Sequence, residues 1–298
     1  MDGILNLLKP PGMTSSDAVV DVRRLFGQKK VGHTGTLDPG AAGVLPICLG
    51  KATRLFDYLM EKQKEYIAEI SFGCATDTLD SYGQITARQA VSVSTEQVRA
   101  VLPELTGVQQ QIPPLYSAVR HNGQKLYQLA RKGKGPEEAQ IEKKARSIEI
   151  HALELIEQTG ENRFLIRMVC SKGTYVRVVC EEIGKRLKVP AYMSFLLRSR
   201  SGMFSLENAV TLAEAKEAVE RGGGESLLIP MDRALEFLPR IEVDERCAAR
   251  LENGNAIHKW AVRGPLCPAG RVYCGGRFYG IGAVTEEELV MKTMLFSQ

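Results

Sequence analysis

Gly32-His33-Thr34-Gly35-Thr36-Leu37-Asp38-Pro39 gathers one acid, one imidazole, two hydroxyls and two glycines into a turn-forming stretch that follows a basic amphipathic segment. Pro39 restricts the backbone of the carboxylate before it, while the glycines permit close approach and unusual dihedrals. Taken alone, the stretch has two readings. It is a capped surface turn, because Asp and Gly are common turn formers, or it is a rigid mount for a reactive acid. Residues elsewhere in the chain decide between them.

Upstream, Ile4 to Leu7 is a short apolar strand ended by Lys9-Pro10-Pro11-Gly12. Thr14-Ser15-Ser16-Asp17 supplies N-cap chemistry for a helix with Ala18, Val22 and Leu25 or Phe26 on one face and Gly27 at its end. Downstream, Tyr66, Ala68, Ile70 and Phe72 alternate with polar residues, which predicts a strand. Ser94-Thr95-Glu96-Gln97 is a capping box opening a helix that stops before Thr106-Gly107. Arg163 to Cys170 is a further strand. After Ser171-Lys172-Gly173, Val176, Val179 or Cys180, Ile183 and Leu187 recur at helical spacing. Arg177 then lies in a first turn, where a cation is misplaced unless an anion answers it.

Between Gln111 and Lys144 the pattern loosens into an inserted arm, about 113–144, carrying Arg120, Lys125, Arg131, Lys132 and Lys134. A boundary falls near Leu238-Pro239, after Gly222-Gly223-Gly224. Beyond it Asp244 caps a helix ending at Asn253-Gly254, followed by strand patterns at Arg271 to Cys274, Phe278 to Val284 and Leu289 to Leu295, with a hairpin at Cys274-Gly275-Gly276-Arg277. The organisation expected is a mixed α+β catalytic body, 1–238, followed by a small β-barrel-like module, 239–298.

With 298 residues, 44% hydrophobic and 25% charged, the chain has the composition of a soluble globular protein. No run reaches the length of a membrane span and no basic leader precedes an apolar stretch, so a cytoplasmic protein without membrane association is expected. The seven cysteines show no C-x-x-C pair, which argues against a zinc knuckle or a disulfide framework. A net charge of +4 permits a polyanionic partner without requiring one. Basic pairs flanking the Asp38 stretch make such a partner more plausible.

Several chemistries fail on spacing. Gly43 to Lys51 has too many residues before Gly50-Lys51 for a phosphate loop, and Ala52 replaces the hydroxyl that would hold magnesium. No helix carries H-E-x-x-H, the histidines other than His33 are scattered, and no metal site is expected. G-x-S-x-G is absent, which counts against a small-molecule hydrolase. Gly280-Ile281-Gly282 lies within a strand pattern and reads as packing.

Lys9-Pro10-Pro11-Gly12-Met13-Thr14-Ser15-Ser16, the Gly32 to Pro39 stretch, Lys64-Glu65-Tyr66, Asp77-Thr78-Leu79-Asp80-Ser81-Tyr82-Gly83 and Gly173-Thr174-Tyr175-Val176-Arg177 occur in this order. Together they resemble the TruB family of tRNA pseudouridine synthases over essentially the full length. The resemblance implies a central mixed, largely antiparallel β-sheet with flanking helices, the pseudouridine synthase fold, and a C-terminal PUA domain that binds RNA. It implies isomerisation of a uridine in the T loop of tRNA, from an N- to a C-glycosidic link, without cofactor or metal. A monomer acting on the T arm is the expected state.

By the same resemblance Asp38 is the nucleophile, attacking either the pyrimidine ring or the sugar carbon, and Arg177 pairs with it. A neighbouring cation is then expected to lower the Asp38 pKa by about 1–3 units. Tyr66 stacks on the target base and assists proton movement from carbon. His33 braces the site vacated by a flipped base, Lys9 orders the loop and Tyr175 packs beneath it. Leu197 or its neighbour Leu196 lines the uracil pocket. The arm bearing Lys132 and Lys134 corresponds to a thumb-like insertion that grips the T arm through phosphates. An RNA-binding or RNA-folding protein without chemistry is the competing class, and the joint presence of Asp38, Tyr66 and Arg177 favours an enzyme.

Overall fold

The alternation from Tyr66 to Phe72 folds as the strand Lys64–Phe72, with Tyr66, Ala68, Ile70 and Phe72 turned into the core. It lies near the middle of a ten-stranded sheet. The computed structural model describes residues 1–60, 62–117, 119–121, 124–126 and 145–296. From one edge the sheet runs Leu228–Ile229, Gly3–Lys9, Ala42–Leu49, Ala191–Ser201, Lys64–Phe72, Arg163–Cys170, Arg146–Gly160 and Gly107–Gln111. The strand Val31–His33 pairs with Ala42–Leu49 off this path, as Phe204–Ser205 does with Ala191–Ser201. Neighbours are antiparallel except Ala42–Leu49 against Ala191–Ser201, which makes the sheet mixed and largely antiparallel, as expected.

Helices cover one face. Thr14 caps the helix Ser15–Leu25 through a reciprocal capping box with Asp17, and Gly27, at φ 59°, follows its end. Ser94 and Gln97 form the second capping box, opening Thr95–Val101. Val176–Leu187 buries Val176, Val179, Cys180 and Ile183 in the same cluster as Tyr66, Ala68, Ile166 and Leu196. The main core therefore lies between the sheet and these helices.

A six-stranded sheet forms the C-terminal part, in the order Ile257–His258, Glu288–Met294, Arg277–Val284, Cys267–Cys274, Arg240–Val243, Val262–Arg263. The Gly275-Gly276 turn joins two of its strands with both glycines at positive φ, the condition a two-residue type I′ hairpin imposes. Gly280 is a packing residue: a Cβ there would sit 2.0 Å from the Thr293 carbonyl oxygen. This barrel-like sheet has its own cluster around Ile241, Val272 and Leu289. A third cluster joins Ile281 and Leu295 to Ile4, Val44, Leu55 and Leu235, so the C-terminal sheet also packs on the back of the catalytic body.

Candidate active site

Asp38 follows a segment fastened along its length. Ser15, buried at the start of its helix, exchanges hydrogen bonds with Leu37, its Oγ accepting from Leu37 N at 2.9 Å and donating to Leu37 O at 3.1 Å. Pro39 O accepts from Gly12 N at 2.9 Å and from Lys9 Nζ at 3.4 Å. Lys9 is completely buried and also donates to the carbonyls of Pro10 and Met13 at 2.7 and 2.8 Å. Burial lowers its pKa to about 8, although Asp38 pulls upward. Lys9 thus holds together the two backbone segments that frame the acid.

Arg177 faces Asp38 across the site. Its Nε lies 2.9 Å from Asp38 Oδ2, Nη1 donates to Thr78 O at 3.0 Å and Nη2 to Tyr116 O at 2.9 Å. Asp80 Oδ2 stands 3.7 Å from Nη1, so two acids answer the cation in the first helical turn. Arg177 is buried, whereas the Asp38 side chain keeps 37% of its surface open. With Oδ2 held, Oδ1 is the oxygen left to meet a ligand.

Burial raises the Asp38 pKa above its ordinary value, Arg177 opposes that, and Asp80 adds to it. This corrects the expected lowering: Arg177 does act in that direction, but desolvation outweighs it. Tyr66 is buried on its strand, and burial also raises its hydroxyl pKa, with Arg198 pulling the other way. Its hydroxyl is therefore protonated at neutral pH, a poor base for taking a proton from carbon.

His33 ends the strand Val31–His33, and its Nδ1 accepts from Gly35 N at 3.3 Å. Tyr175 is the N-cap residue of the Arg177 helix and offers no side-chain cap. Gln111 grips its backbone instead, Oε1 accepting from Tyr175 N at 2.7 Å and Nε2 donating to Tyr175 O at 3.2 Å. Leu197 pairs with Ile67, while Leu196 pairs with Ala68 and Arg198 with Tyr66. Directly paired residues share a face and neighbours along a strand alternate, so Leu196, in the core cluster with Tyr66, is the leucine on the tyrosine face and Leu197 points to the other side. Lys132 and Lys134 lie outside the described residues.

Asp38, Arg177, Tyr66 and Lys9 therefore converge, with His33 and Tyr175 on the adjoining segments. Arg198, Asp80, Gln111 and Ser15 were not anticipated in supporting roles. Arg198 is fully buried, donating from Nε to Val44 O at 2.8 Å and from Nη2 to Gly35 O at 3.1 Å, and so ties the Asp38 segment to the sheet. Asp80 is locked by Thr78 Oγ1 at 2.6 Å and Tyr82 N at 3.0 Å, both donating to Oδ1. A signal for Asp80 existed in the Asp77 to Gly83 motif; Gln111 and Arg198 carried none.

Residues 23–176 match the family model described as TruB family pseudouridylate synthase, N-terminal domain. The chain belongs to this family. It is an enzyme, an isomerase that forms pseudouridine from uridine. It is 44% identical to tRNA pseudouridine synthase B of Caldanaerobacter subterraneus subsp. tengcongensis over 99% of each chain. It is 48% identical to the tRNA pseudouridine synthase B of Geobacillus thermodenitrificans over 85% of each. Among solved structures, a chain of the Cbf5–Nop10–Gar1 complex superposes with a TM-score of 0.76 at 25% identity, over 99% of this chain and 85% of that one. The TruB model ends at Val176, one residue before the arginine that faces Asp38.

Proposed function

We propose that this TruB-family enzyme isomerises a uridine in the T loop of tRNA, with Asp38 as the nucleophile acting on a base flipped out of the loop. The tRNA substrate is supported by relatives that are named tRNA pseudouridine synthase B and match the chain over nearly its whole length. The observation that carries the chemistry is the Asp38–Arg177 pair: an acid fastened on both sides, bound through one oxygen and open through the other. A carboxylate can attack and later leave, which detaching uracil from ribose and rejoining it through carbon requires. Arg177 favours the ionised form of Asp38, opposing the burial that raises its pKa. Tyr66, as a neutral phenol, supplies a face for the base.

A uridine inside a folded loop must leave its stack, at a cost of a few kcal/mol. His33, on the segment leading to Asp38, braces the vacated place. Phosphate contacts from Lys132 and Lys134 and from a PUA-like C-terminal module, 239–298, add affinity without reading bases. Specificity then rests on loop shape and splayed bases.

The test is Asp38→Asn with tRNA tritiated at uracil C5. Tritium release falls to background while the RNA is still bound. Full turnover by this variant would remove Asp38 from the chemistry, and wild-type release from uridines outside the T loop alone would overturn the substrate.

A further inference from the structure

Tyr82 is 71% exposed, yet its ring is seated: a Cβ on Gly40 would lie 2.0 Å from one ring carbon and 2.8 Å from the hydroxyl oxygen. Gly40 is two residues beyond Asp38, and two residues span at most about 7 Å. The other end of the tyrosine is also held. Its backbone N–H donates to Asp80 Oδ1 at 3.0 Å, and the second oxygen of that carboxylate faces Arg177. One edge of the ring, at Cε2 and the hydroxyl, lies against a backbone pinned through Pro39, and most of its surface is left to solvent. Structural economy gives no reason to hold so large an apolar surface in water at the lip of an active site.

We propose that Tyr82 is a stacking platform for a nucleobase of the substrate RNA next to the target uridine, and so a positioning residue for the reaction. Tyr66 is buried, and the function proposed above gives it the flipped base, so the rim aromatic meets a different one. Because the ring packs against Gly40, two residues from Asp38, a base held on Tyr82 belongs to a nucleotide near the target. Stacking suits this position because every base has a π-face and single-stranded loops splay their bases.

The inference rests on the RNA-modifying reading above. Its test is equilibrium binding and steady-state turnover with a T stem-loop RNA. Base–aromatic stacking is worth about 1–3 kcal/mol by alanine substitution, so Tyr82→Ala weakens binding about five- to 150-fold and raises KM with a smaller effect on kcat. Tyr82→Phe and Tyr82→Trp restore binding, whereas Tyr82→Leu, which fills the Gly40 seat without a π-face, does not. With the single native tryptophan replaced in Trp260→Phe, fluorescence of Tyr82→Trp is quenched on RNA binding. Binding by Tyr82→Ala within twofold of wild type, or rescue by Leu equal to that by Phe, would overturn the proposal. An inactive Asp38→Asn beside an unaffected Tyr82→Ala would sink the platform alone; an active Asp38→Asn would sink the reading beneath it.

Discussion

Replacing Arg177 by Met removes the charge that opposes desolvation of Asp38 while keeping an unbranched apolar side chain. In the wild type, burial and Asp80 raise the carboxyl pKa and Arg177 at 2.9 Å pulls it back. A cation so placed is worth about 1–3 pKa units. Without it, the acid limb of the pH–rate profile moves upward by about that amount, and each unit above the assay pH removes roughly a further tenfold of the ionised carboxylate. Breaking a buried pair costs about 3–5 kcal/mol of stability, and the partial exposure of Asp38 lets water recover some of it, so a loss of at most about 3 kcal/mol is expected. Single-turnover pseudouridine formation from pH 5 to 9, with thermal melting as the folding control, reads both effects. Arg177→Lys is the companion: its charge keeps the acid limb closer to wild type, but one ammonium cannot serve Asp38, Thr78 O and Tyr116 O as the planar fork does, and kcat falls. A folded Arg177→Met protein with an unmoved acid limb would refute the electrostatic reasoning.

Two further expectations follow from buried groups. Lys9 has a native pKa of about 8 against an ordinary 10.5, so between these values the unfolded chain holds a proton the folded one has lost, and stability rises with pH. Lys9→Met abolishes that rise, and denaturant unfolding at pH 7.5 and 10 measures the difference; equal pH dependence in the two proteins would mean that Lys9 is not buried as described. Gly43→Ala forces φ +118° on a non-glycine residue and sets a Cβ 2.3 Å from the Arg198 carbonyl oxygen, which is backbone and cannot swing away. A stability loss above about 2 kcal/mol is expected by the strain mechanism, and an unchanged Tm would show that the sheet yields there.

Local patterns in the chain specified the elements that depend on neighbours in sequence. Thr14 with Asp17 and Ser94 with Gln97 are capping chemistry complete within four residues, and both helices start where those pairs sit. Arg163–Cys170 forms over the residues its apolar pattern indicated, and the Gly275-Gly276 hairpin turns where the glycines demand. Ala42–Leu49 and Ala191–Ser201 had no comparable signal. The first is buried nearly throughout, and a strand covered on both faces has no alternation to betray it. Arg146–Gly160, beside the basic insertion, was missed too, although its first half does alternate.

For the site, the order of the motifs in the chain was enough to bring the family into view, because each motif is a short contiguous run of residue types. That Arg177 needs an acid was legible from its place in a first turn; which acids, and at what distance, was decided by the packing of the helix Val176–Leu187 on the sheet. Strand register, a long-range property, put Leu196 rather than Leu197 on the face of Tyr66. The direction of the Asp38 pKa likewise depended on tertiary structure, since charge partners can be guessed from composition but the water removed from around them cannot. The sequence by itself determined which chemical groups stand where along the chain; burial and register, which arise only when distant segments close over one another, decided which of them face each other and in what state of charge.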